Sequence, residues 1–432
     1  MGDNNTDFFA DAFPEGPADE NLVDDFFSAK ESETKSVKKT PKSPSAKKTP
    51  AAAKAPLGIA RHATLKKRNP AVSVLKFVGA AVVVAVGSTA ALAGLLVTDV
   101  VSDLKVVELE SSVDIASLPA IGSMEGGTNI LIVGSDKREG QSGFGELNDV
   151  TMLVHIAEDK SSAVAVSFPR DLIVPIPSCP NPSGGRHGAM SAQPINVTLS
   201  YGGLPCTVLT VEALTGLSIP YAAMVTFNGV IAMSNAIGGV EVCVQSPIRD
   251  RESRLYLDPG THNIKGAEAL AFLRTRKGVG DGSDLSRIGM QQSFLSSLIR
   301  TVKSNDTLTD LNKLYGLATA ATQNMTLSAS LGGFDTMVSL ALTLKELDMS
   351  KISFVTYPGS TGSVEHPGKV IPNKFLANEL FQMIKADKAI IPVADNTGQG
   401  TVSGGTSGSE KPTISSGIHG QTADAVTCAA GR

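Results

Sequence analysis

Arg274, Arg276, Asp284, Arg287 and Gln291 follow one another as R-x-R-x₇-D-x-x-R-x₃-Q. Guanidinium is a planar, permanently charged fork that binds phosphate oxygens in pairs, so three arginines gathered near one carboxylate point to phosphate binding. A glycine-rich turn, Gly278-Val279-Gly280-Asp281-Gly282, lies between the two arginine groups. Asp284 also suits the cap of a following helix, and that reading stands beside the phosphate one. Capping does not account for Arg274 and Arg276, which fall on one side of the chain if Leu273–Thr275 is extended. Nor does it account for Arg287, which shares a helical face with Gln291.

Two further places bring charge to the ends of apolar runs. Pro169-Arg170-Asp171 closes the run Ala163–Phe168, and Arg170 there adds a phosphate contact or forms a surface ion pair with Asp171. Asp136 follows the run Asn129–Gly134, and Asp149 precedes Val150–Ile156. Two neighbouring carboxylates repel unless a hard cation bridges them to phosphate oxygens, a role that suits Mg²⁺ better than zinc. Either Asp alone is equally an Asx-turn residue. His155 has no partner ligand in sequence, and His187, His262 and His366 are scattered. The chain contains neither the G-x-x-x-x-G-K-[ST] phosphate loop nor a G-x-S-x-G nucleophile turn.

The elements that must hold these residues read as short apolar strands alternating with helices. Besides the three runs above, strands are expected at Ala222–Phe227, Gly239–Val244 and Ile352–Tyr357. Helices are expected at Thr207–Thr215, Phe227–Ala236, Gly266–Leu273, Ser286–Ser304 and Asn373–Lys385. That alternation predicts an α/β fold with polar residues at strand ends, occupying residues 126–385. The Gly/Ser/Thr-rich residues 386–432 read as a flexible tail. Four cysteines allow two disulfides in three pairings. Cys179 and Cys206 flank a loop-rich insertion and are the preferred pair, which leaves Cys243 with Cys428.

Phe77–Val97 is an uncharged run of 21 residues, long enough for a helix to cross a bilayer. Lys66, Lys67, Arg68 and Lys76 precede it, whereas Asp99, Asp103 and Glu108 follow. The positive side stays cytoplasmic, so the phosphate-binding residues lie outside the membrane. The formal net charge of −4 hides a division of the leading segment, acidic over 1–34 and basic over 35–76. Residues 1–70 read as a disordered cytoplasmic tail, 71–97 as the transmembrane helix and 98–125 as an extracytoplasmic stalk. The basic block is explained by the adjoining membrane, so no nucleic-acid partner is expected. The oligomeric state is not legible.

In this order the motifs resemble the LytR-CpsA-Psr family. The resemblance rests on Ile132-Val133-Gly134-Ser135-Asp136, Asp149-Val150-Thr151-Met152-Leu153, Ser167-Phe168-Pro169-Arg170-Asp171 and Ile195-Asn196 with Tyr201-Gly202-Gly203. It continues through Gly238-Gly239-Val240-Glu241-Val242 and Gly266-x-Glu268 to Arg274-x-Arg276, ending at Asp284-x-x-Arg287-x₃-Gln291. The resemblance implies a three-layer α/β/α domain with a central mixed sheet and an extracytoplasmic cell-wall ligase. Such an enzyme moves a glycosyl phosphate from a polyprenyl-pyrophosphate carrier to peptidoglycan. It implies that Asp136 and Asp149 bind Mg²⁺ and that Arg170, Arg274, Arg276 and Arg287 clamp the pyrophosphate. Asn196 and Gln291 would support the head group, Arg138 would supply a further charge, and Asp284 would orient Arg287 or activate the acceptor. The actinobacterial look of Cys206, Gly239–Cys243 and Gly280–Asp284 makes arabinogalactan the preferred glycan. Teichoic-acid or capsule attachment is the related substitute. A pyrophosphatase and a polyprenyl-phosphate-binding scaffold are the competing readings. The chain departs from the family pattern at Glu146-Leu147-Asn148, at Gln193-Pro194 and at Gly289-Met290.

Overall fold

The computed structural model describes residues 104–110, 127–137, 145–304, 310–404 and 411–432. The expected tail 1–70, the span Phe77–Val97 and Arg138 lie outside the described residues. Twelve strands form the two larger sheets. They are β1 (Lys105–Val107), β2 (Thr128–Ser135), β3 (Asn148–Ile156), β4 (Ala163–Phe168), β5 (Tyr221–Val225) and β6 (Val240–Ser246). Then follow β7 (Gly260–Ile264), β8 (Met325–Ser328), β9 (Ile352–Thr356), β10 (Thr401–Ser403), β11 (Gly420–Thr422) and β12 (Thr427–Ala430). The helices are α1 (Thr198–Thr215), α2 (Phe227–Ala236), α3 (Gly266–Arg274), α4 (Asp284–Ser304), α5 (Leu311–Asn324), α6 (Phe334–Glu346) and α7 (Lys374–Lys385).

The main sheet has the order β1-β8-β5-β2-β3-β4-β9-β11. It is mixed: β2 runs parallel to β5 and antiparallel to β3, and β4 runs parallel to β9. Alternation along the strands sends successive side chains to opposite faces. Leu131, Val133, Val164, Val166 and Phe168 pack on one face with Leu204 and Val208 of α1 and Leu380 and Phe381 of α7. Ile130, Ala163 and Ala165 pack on the other with Leu295 and Ile299 of α4 and Leu340 of α6. Helices therefore cover both faces, and the central strands are apolar on both sides because neither side meets water. Each large side chain so buried contributes roughly 1.5–3 kcal/mol.

A second sheet, β7-β6-β12-β10, packs on α3 and α4 through Val240, Val242, Val244, Phe272, Met290 and Phe294. Met290, one of the departures from the family pattern, is fully buried there. Gly289 beside it is required by a close approach, since a Cβ would lie 2.5 Å from the Gln399 carbonyl oxygen.

Three expectations are corrected. The residues beyond 385 are not without regular structure: β11 pairs with β9, and β12 pairs with both β6 and β10. Their glycines serve close packing, as Gly400 shows, where φ is +82° and a Cβ would meet the Ser286 carbonyl oxygen at 2.7 Å. Part of the expected stalk is likewise sheet, because β1 pairs in parallel with β8. Helix α1 begins well before Thr207 and kinks at Gly202 and Gly203, where the dihedral angles leave the helical region. Both disulfides form as the cysteine spacing suggested, Cys179–Cys206 and Cys243–Cys428.

Among the described residues one stretch, Ile195–Thr215, is long and apolar enough to cross a membrane. Leu199, Leu204, Val208 and Val211 on it belong to the core beneath the main sheet, so it is a core helix of this fold. His155 is also a core residue, bonded at 2.9 Å through Nδ1 to Asn129 and at 2.9 Å through Nε2 to Asp387 beyond α7.

Candidate active site

β2 and β4 run in the same direction, and β3 lies antiparallel between them. The end of β2, the start of β3 and the end of β4 therefore meet at one edge of the sheet. That geometry brings Asp136, Asp149 and Arg170 together although they belong to three different strands or strand ends. Residues 169 and 170 leave the sheet immediately after Phe168, whose ring is buried against Tyr357 at a centroid distance of 5.2 Å. The first turn of α4 comes to the same edge and brings Asp284 and Arg287.

These residues form a compact ionic knot. Arg170 Nη1 donates to Asp149 Oδ1 at 2.7 Å, and the Arg170 backbone N–H donates to Asp284 Oδ2 at 3.1 Å. Arg287 Nη2 lies 2.7 Å from Asp284 Oδ1 and donates to the Asp149 backbone oxygen at 2.7 Å. Arg287 Nη1 is 3.7 Å from Asp149 Oδ2. Arg287 and Asp284 are 3% and 9% exposed, so these contacts operate with little solvent competition. Two donors in the knot nevertheless find no hydrogen-bond acceptor, Arg170 Nε and Arg287 Nε. Asp284 Oδ1 also lacks a well-directed bond. Buried guanidinium N–H groups without acceptors are the donors that an anion would satisfy.

The electrostatics separate the two aspartates. Burial, followed by the neighbouring Asp149 charge, raises the Asp136 pKa above the ordinary carboxylate range. Burial opposes ionisation of Asp149 too, but Arg287, the Arg170 bond and Arg274 outweigh it and hold its pKa below that range. Asp136 Oδ1 accepts the Leu147 N–H at 2.8 Å. Glu146 bonds Ser135 and lies 3.5 Å from Lys137, so this departure from the family pattern adds a third acid near Asp136. Among the described residues no group of three or more His, Cys, Asp or Glu side chains is arranged to hold a metal ion.

The remaining expected residues take other positions. Arg274 ends α3 with its guanidinium 4.7 Å from the centre of the Phe227 ring, while its charge still reaches Asp149. Leu273 and Arg274 are helical, so the extended geometry expected for the R-x-R pair applies only from Thr275. Arg276 faces Glu252 at 3.9 Å. Gln291 Nε2 donates to the Leu273 carbonyl oxygen at 3.2 Å, tying α4 to the end of α3 from a buried position. Asn196 reaches the site through its backbone, donating to the Arg170 carbonyl oxygen at 3.1 Å.

Two residues escaped the sequence reading. Lys369 Nζ lies 2.6 Å from Asp171 Oδ1, and Asp171 in turn lies 3.5 Å from Arg170 Nε. Asp250 is buried and holds the turn that carries Arg276. Its Oδ2 accepts from Thr275 Oγ1 at 2.7 Å, from Arg276 N at 3.0 Å and from Gly278 N at 3.3 Å. Its Oδ1 accepts from Glu252 N at 2.9 Å and Ser253 N at 3.2 Å. Burial opposes its charge, yet these bonds lower its pKa to about 2. No local pattern marks either residue, because their partners lie far along the chain or in backbone N–H groups.

Residues 99–387 match the model of the LytR-CpsA-Psr family. The cell wall biosynthesis protein LcpA of Corynebacterium glutamicum is 31% identical over 265 residues, which cover 54% of this chain and 50% of LcpA. The polyisoprenyl-teichoic acid–peptidoglycan teichoic acid transferase TagT of Bacillus subtilis is 28% identical over 237 residues, covering 53% of this chain and 68% of TagT. The chain spans about half the length of the first curated relatives it matches. A LytR-Csp2A-Psr enzyme from Actinomyces oris superposes with a TM-score of 0.49 at 20% identity, over 65% of this chain and 96% of that one.

Proposed function

This chain belongs to the LytR-CpsA-Psr family, and from that premise we propose that it is a cell-wall glycopolymer ligase. It transfers a glycosyl phosphate from a polyprenyl-pyrophosphate carrier to a peptidoglycan hydroxyl. The observation that carries this reading is the knot of Arg170 and Arg287 with its unaccepted Nε–H donors. In the reaction the acceptor oxygen attacks the phosphorus that bears the glycan. A new O–P bond forms, the bridging P–O bond of the pyrophosphate breaks, and polyprenyl phosphate leaves with the bridging oxygen. The acceptor proton passes to a base or to solvent. Arg170 and Arg287 stabilise the charge that grows on the phosphoryl oxygens, each charge-assisted contact contributing about 1.5–3 kcal/mol.

Asp284 acts by position in this scheme. It accepts from the Arg170 backbone and pairs with Arg287, so both of its oxygens face the clamp. Asp149 fixes the same two arginines from the opposite side. Arg274 and Arg276 extend the positive field, and Asp250 holds the turn beneath Arg276.

Mg²⁺ fits the donor set. Asp136 and Asp149 would hold it, because a divalent cation offsets both the burial and the lesser Asp149 repulsion that raise the Asp136 pKa, and takes oxygen ligands from carboxylate and phosphate together. When bound, it supplies charge neutralisation on the pyrophosphate oxygens. The expected span Phe77–Val97 would tether the site to the membrane that carries the donor, with the N-terminus cytoplasmic. Arabinogalactan is the glycan favoured by the actinobacterial look of Cys206, Gly239–Cys243 and Gly280–Asp284.

The test uses the full chain in detergent micelles with Mg²⁺, peptidoglycan and polyprenyl-pyrophosphate carriers of arabinogalactan or teichoic acid. Phosphodiester-linked product is the expected result, formed faster from arabinogalactan. Free phosphorylated glycan alone would convert the reading to a pyrophosphatase. Carrier binding with neither product would convert it to a scaffold.

A further inference from the structure

We infer that the loop 357–373 and the first turn of α7 dock into the outer leaflet of the membrane that the expected span Phe77–Val97 would cross. Among the described residues the two most exposed large apolar side chains are Val364, 95% exposed, and Phe375, 79% exposed. Val364 lies in that loop and Phe375 in the first turn of α7. The buried face of α7 is Ala377, Leu380, Phe381 and Ile384. At 3.6 residues per turn Phe375 stands on the opposite side of the helix, so it has no part in the core. Isolated apolar residues are common on protein surfaces, so their position decides what these two mean.

The strand directions give that position. β1 is parallel to β8, β8 is antiparallel to β5, and β5 is parallel to β2, so β1 runs against β2. Register carries Lys105 through Thr326 and Met224 to Val133, near the end of β2. The chain therefore enters the sheet at the edge that holds the clamp. Only residues 98–104 separate that entry from the expected span, a reach of at most about 30 Å when fully extended. β9 is parallel to β4 and ends at the same edge. The loop after it returns there through Val370, which bridges Leu172, and Lys369, which pairs with Asp171. Asn373 N then donates to the Pro358 carbonyl oxygen at 2.9 Å, and α7 leads away to the opposite edge, where Asp387 meets His155. The clamp thus lies between β1 and the two apolar residues beyond β9, strands six spacings or roughly 29 Å apart.

The surroundings suit a bilayer surface. Lys374 is exposed beside Phe375, and Lys369 is half-buried at the base of the loop. Lysines next to apolar side chains match anionic headgroups above an acyl layer. α6 provides the contrast. Its Val338 and Leu342 are also exposed, at 40% and 54%, and share one face. Yet α6 connects the end of β8 to the start of β9, both on the edge away from the clamp. Exposed apolar surface there faces away from the tether. The docking rests on the proposed tether and deepens the ligase reading, because it holds the clamp at the level where a carrier's pyrophosphate lies.

The test uses single-tryptophan variants of the full chain, which has no tryptophan of its own. They are reconstituted in carrier-free vesicles of phosphatidylcholine and phosphatidylglycerol brominated on the acyl chains. Phe375→Trp should lose most of its emission to the brominated lipid and become shielded from acrylamide. Leu342→Trp should keep its emission and stay open to acrylamide. Adding Val364→Asp to Phe375→Trp should reverse both effects, since a charge is costly among acyl chains. Val86→Trp reads the span separately. Its quenching without quenching of Phe375→Trp overturns the docking and leaves the tether in place, whereas no quenching at either overturns both. Equal quenching of Leu342→Trp, or no reversal by Val364→Asp, also overturns the inference. So does shielding of Phe375→Trp from acrylamide without lipid quenching, the signature of a second copy or another protein. No readout uses transfer, so failure of the ligase activity and failure of the docking are told apart.

Discussion

The clamp and the C-terminal segment that carries β11 and β12, here called the seam, both collect buried polar atoms without hydrogen-bond partners, but of opposite kinds. At the clamp the atoms include two guanidinium donors, Arg170 Nε and Arg287 Nε, set among Asp149 and Asp284. At the seam they are the acceptors Gln421 Oε1 and Asp424 Oδ1, with the Thr427 hydroxyl. Leaving such a group unpaired costs about 1–3 kcal/mol, more if it is charged, so a fold tolerates clusters of them where something else binds. At the clamp, where charged donors are left over, the sign of the unmet demand gives the class of ligand, an anion. The two regions also differ in what holds them. Ion pairs between elements distant in sequence fix the clamp, whereas close glycine packing and the Cys243–Cys428 bond fix the seam.

The sharpest way to break this contrast is Arg287→Ala. It should reduce transfer at least about a hundredfold, as expected for loss of a charge aimed at the transition state. It should also destabilise the fold by about 3–5 kcal/mol, because Asp149 and Asp284 lose a buried partner. Arg287→Lys should restore much of the stability but little of the turnover, since one ammonium cannot replace the fork. Single-turnover transfer and denaturant unfolding measure the two effects, and equal recovery of both by lysine would remove the fork from the mechanism.

Replacing Cys243 and Cys428 together by serine acts on the other region. The bond closes a long loop, with a sequence separation of 185, and its loss should cost about 2–5 kcal/mol. The clamp should retain carrier binding. Loss of carrier binding in protein that stays folded would show that the two regions are one unit.

Asp250→Asn probes the support of the Arg276 turn through pH. Because the folded-state pKa is lowered to about 2, the carboxylate contributes stability that is complete above its unfolded pKa of 3.8 and is lost as pH falls toward 2. That contribution is on the order of 2 kcal/mol. The variant should therefore be less stable than the parent near neutrality, with the difference closing in acid. A difference independent of pH between 2 and 7 would assign the effect to packing instead.

The smallest expected effect separates two roles of Asp284. If it positions the arginines, Asp284→Asn should lower kcat about tenfold, roughly one hydrogen bond's worth, and leave the pH profile of kcat/KM unchanged. Disappearance of the acid-side limb, where rate rises as a base loses its proton, would make Asp284 the base.

Much of the frame was legible from local pattern. Short continuous apolar runs located β2 through β4 and β9, and longer helical patterns located α2, α3, α4 and α7, to within a few residues. Of the three pairings that four cysteines allow, the structure forms the preferred Cys179–Cys206 and with it Cys243–Cys428. Composition misled where glycine was the signal: the same residue that loosens an isolated chain also lets Gly400 and Gly420 sit directly on neighbouring backbone. For the candidate site, residue type singled out Asp149, Arg170, Asp284 and Arg287, which the structure brings together, while other members of the sequence motif take different partners. Arg276 turned to Glu252 and Gln291 to the Leu273 carbonyl oxygen.

By itself the sequence determined the order of elements, the faces they bury, the family and the residue types able to grip phosphate. These follow from short-range periodicity and side-chain chemistry, which need no knowledge of distant neighbours. Only the tertiary structure decided that Arg170 and Arg287 share Asp149 and Asp284, and that the C-terminal strands pair with both sheets. Ion pairs and strand pairings depend on distances of a few ångströms between segments more than a hundred residues apart, and those distances exist only once the sheets have formed.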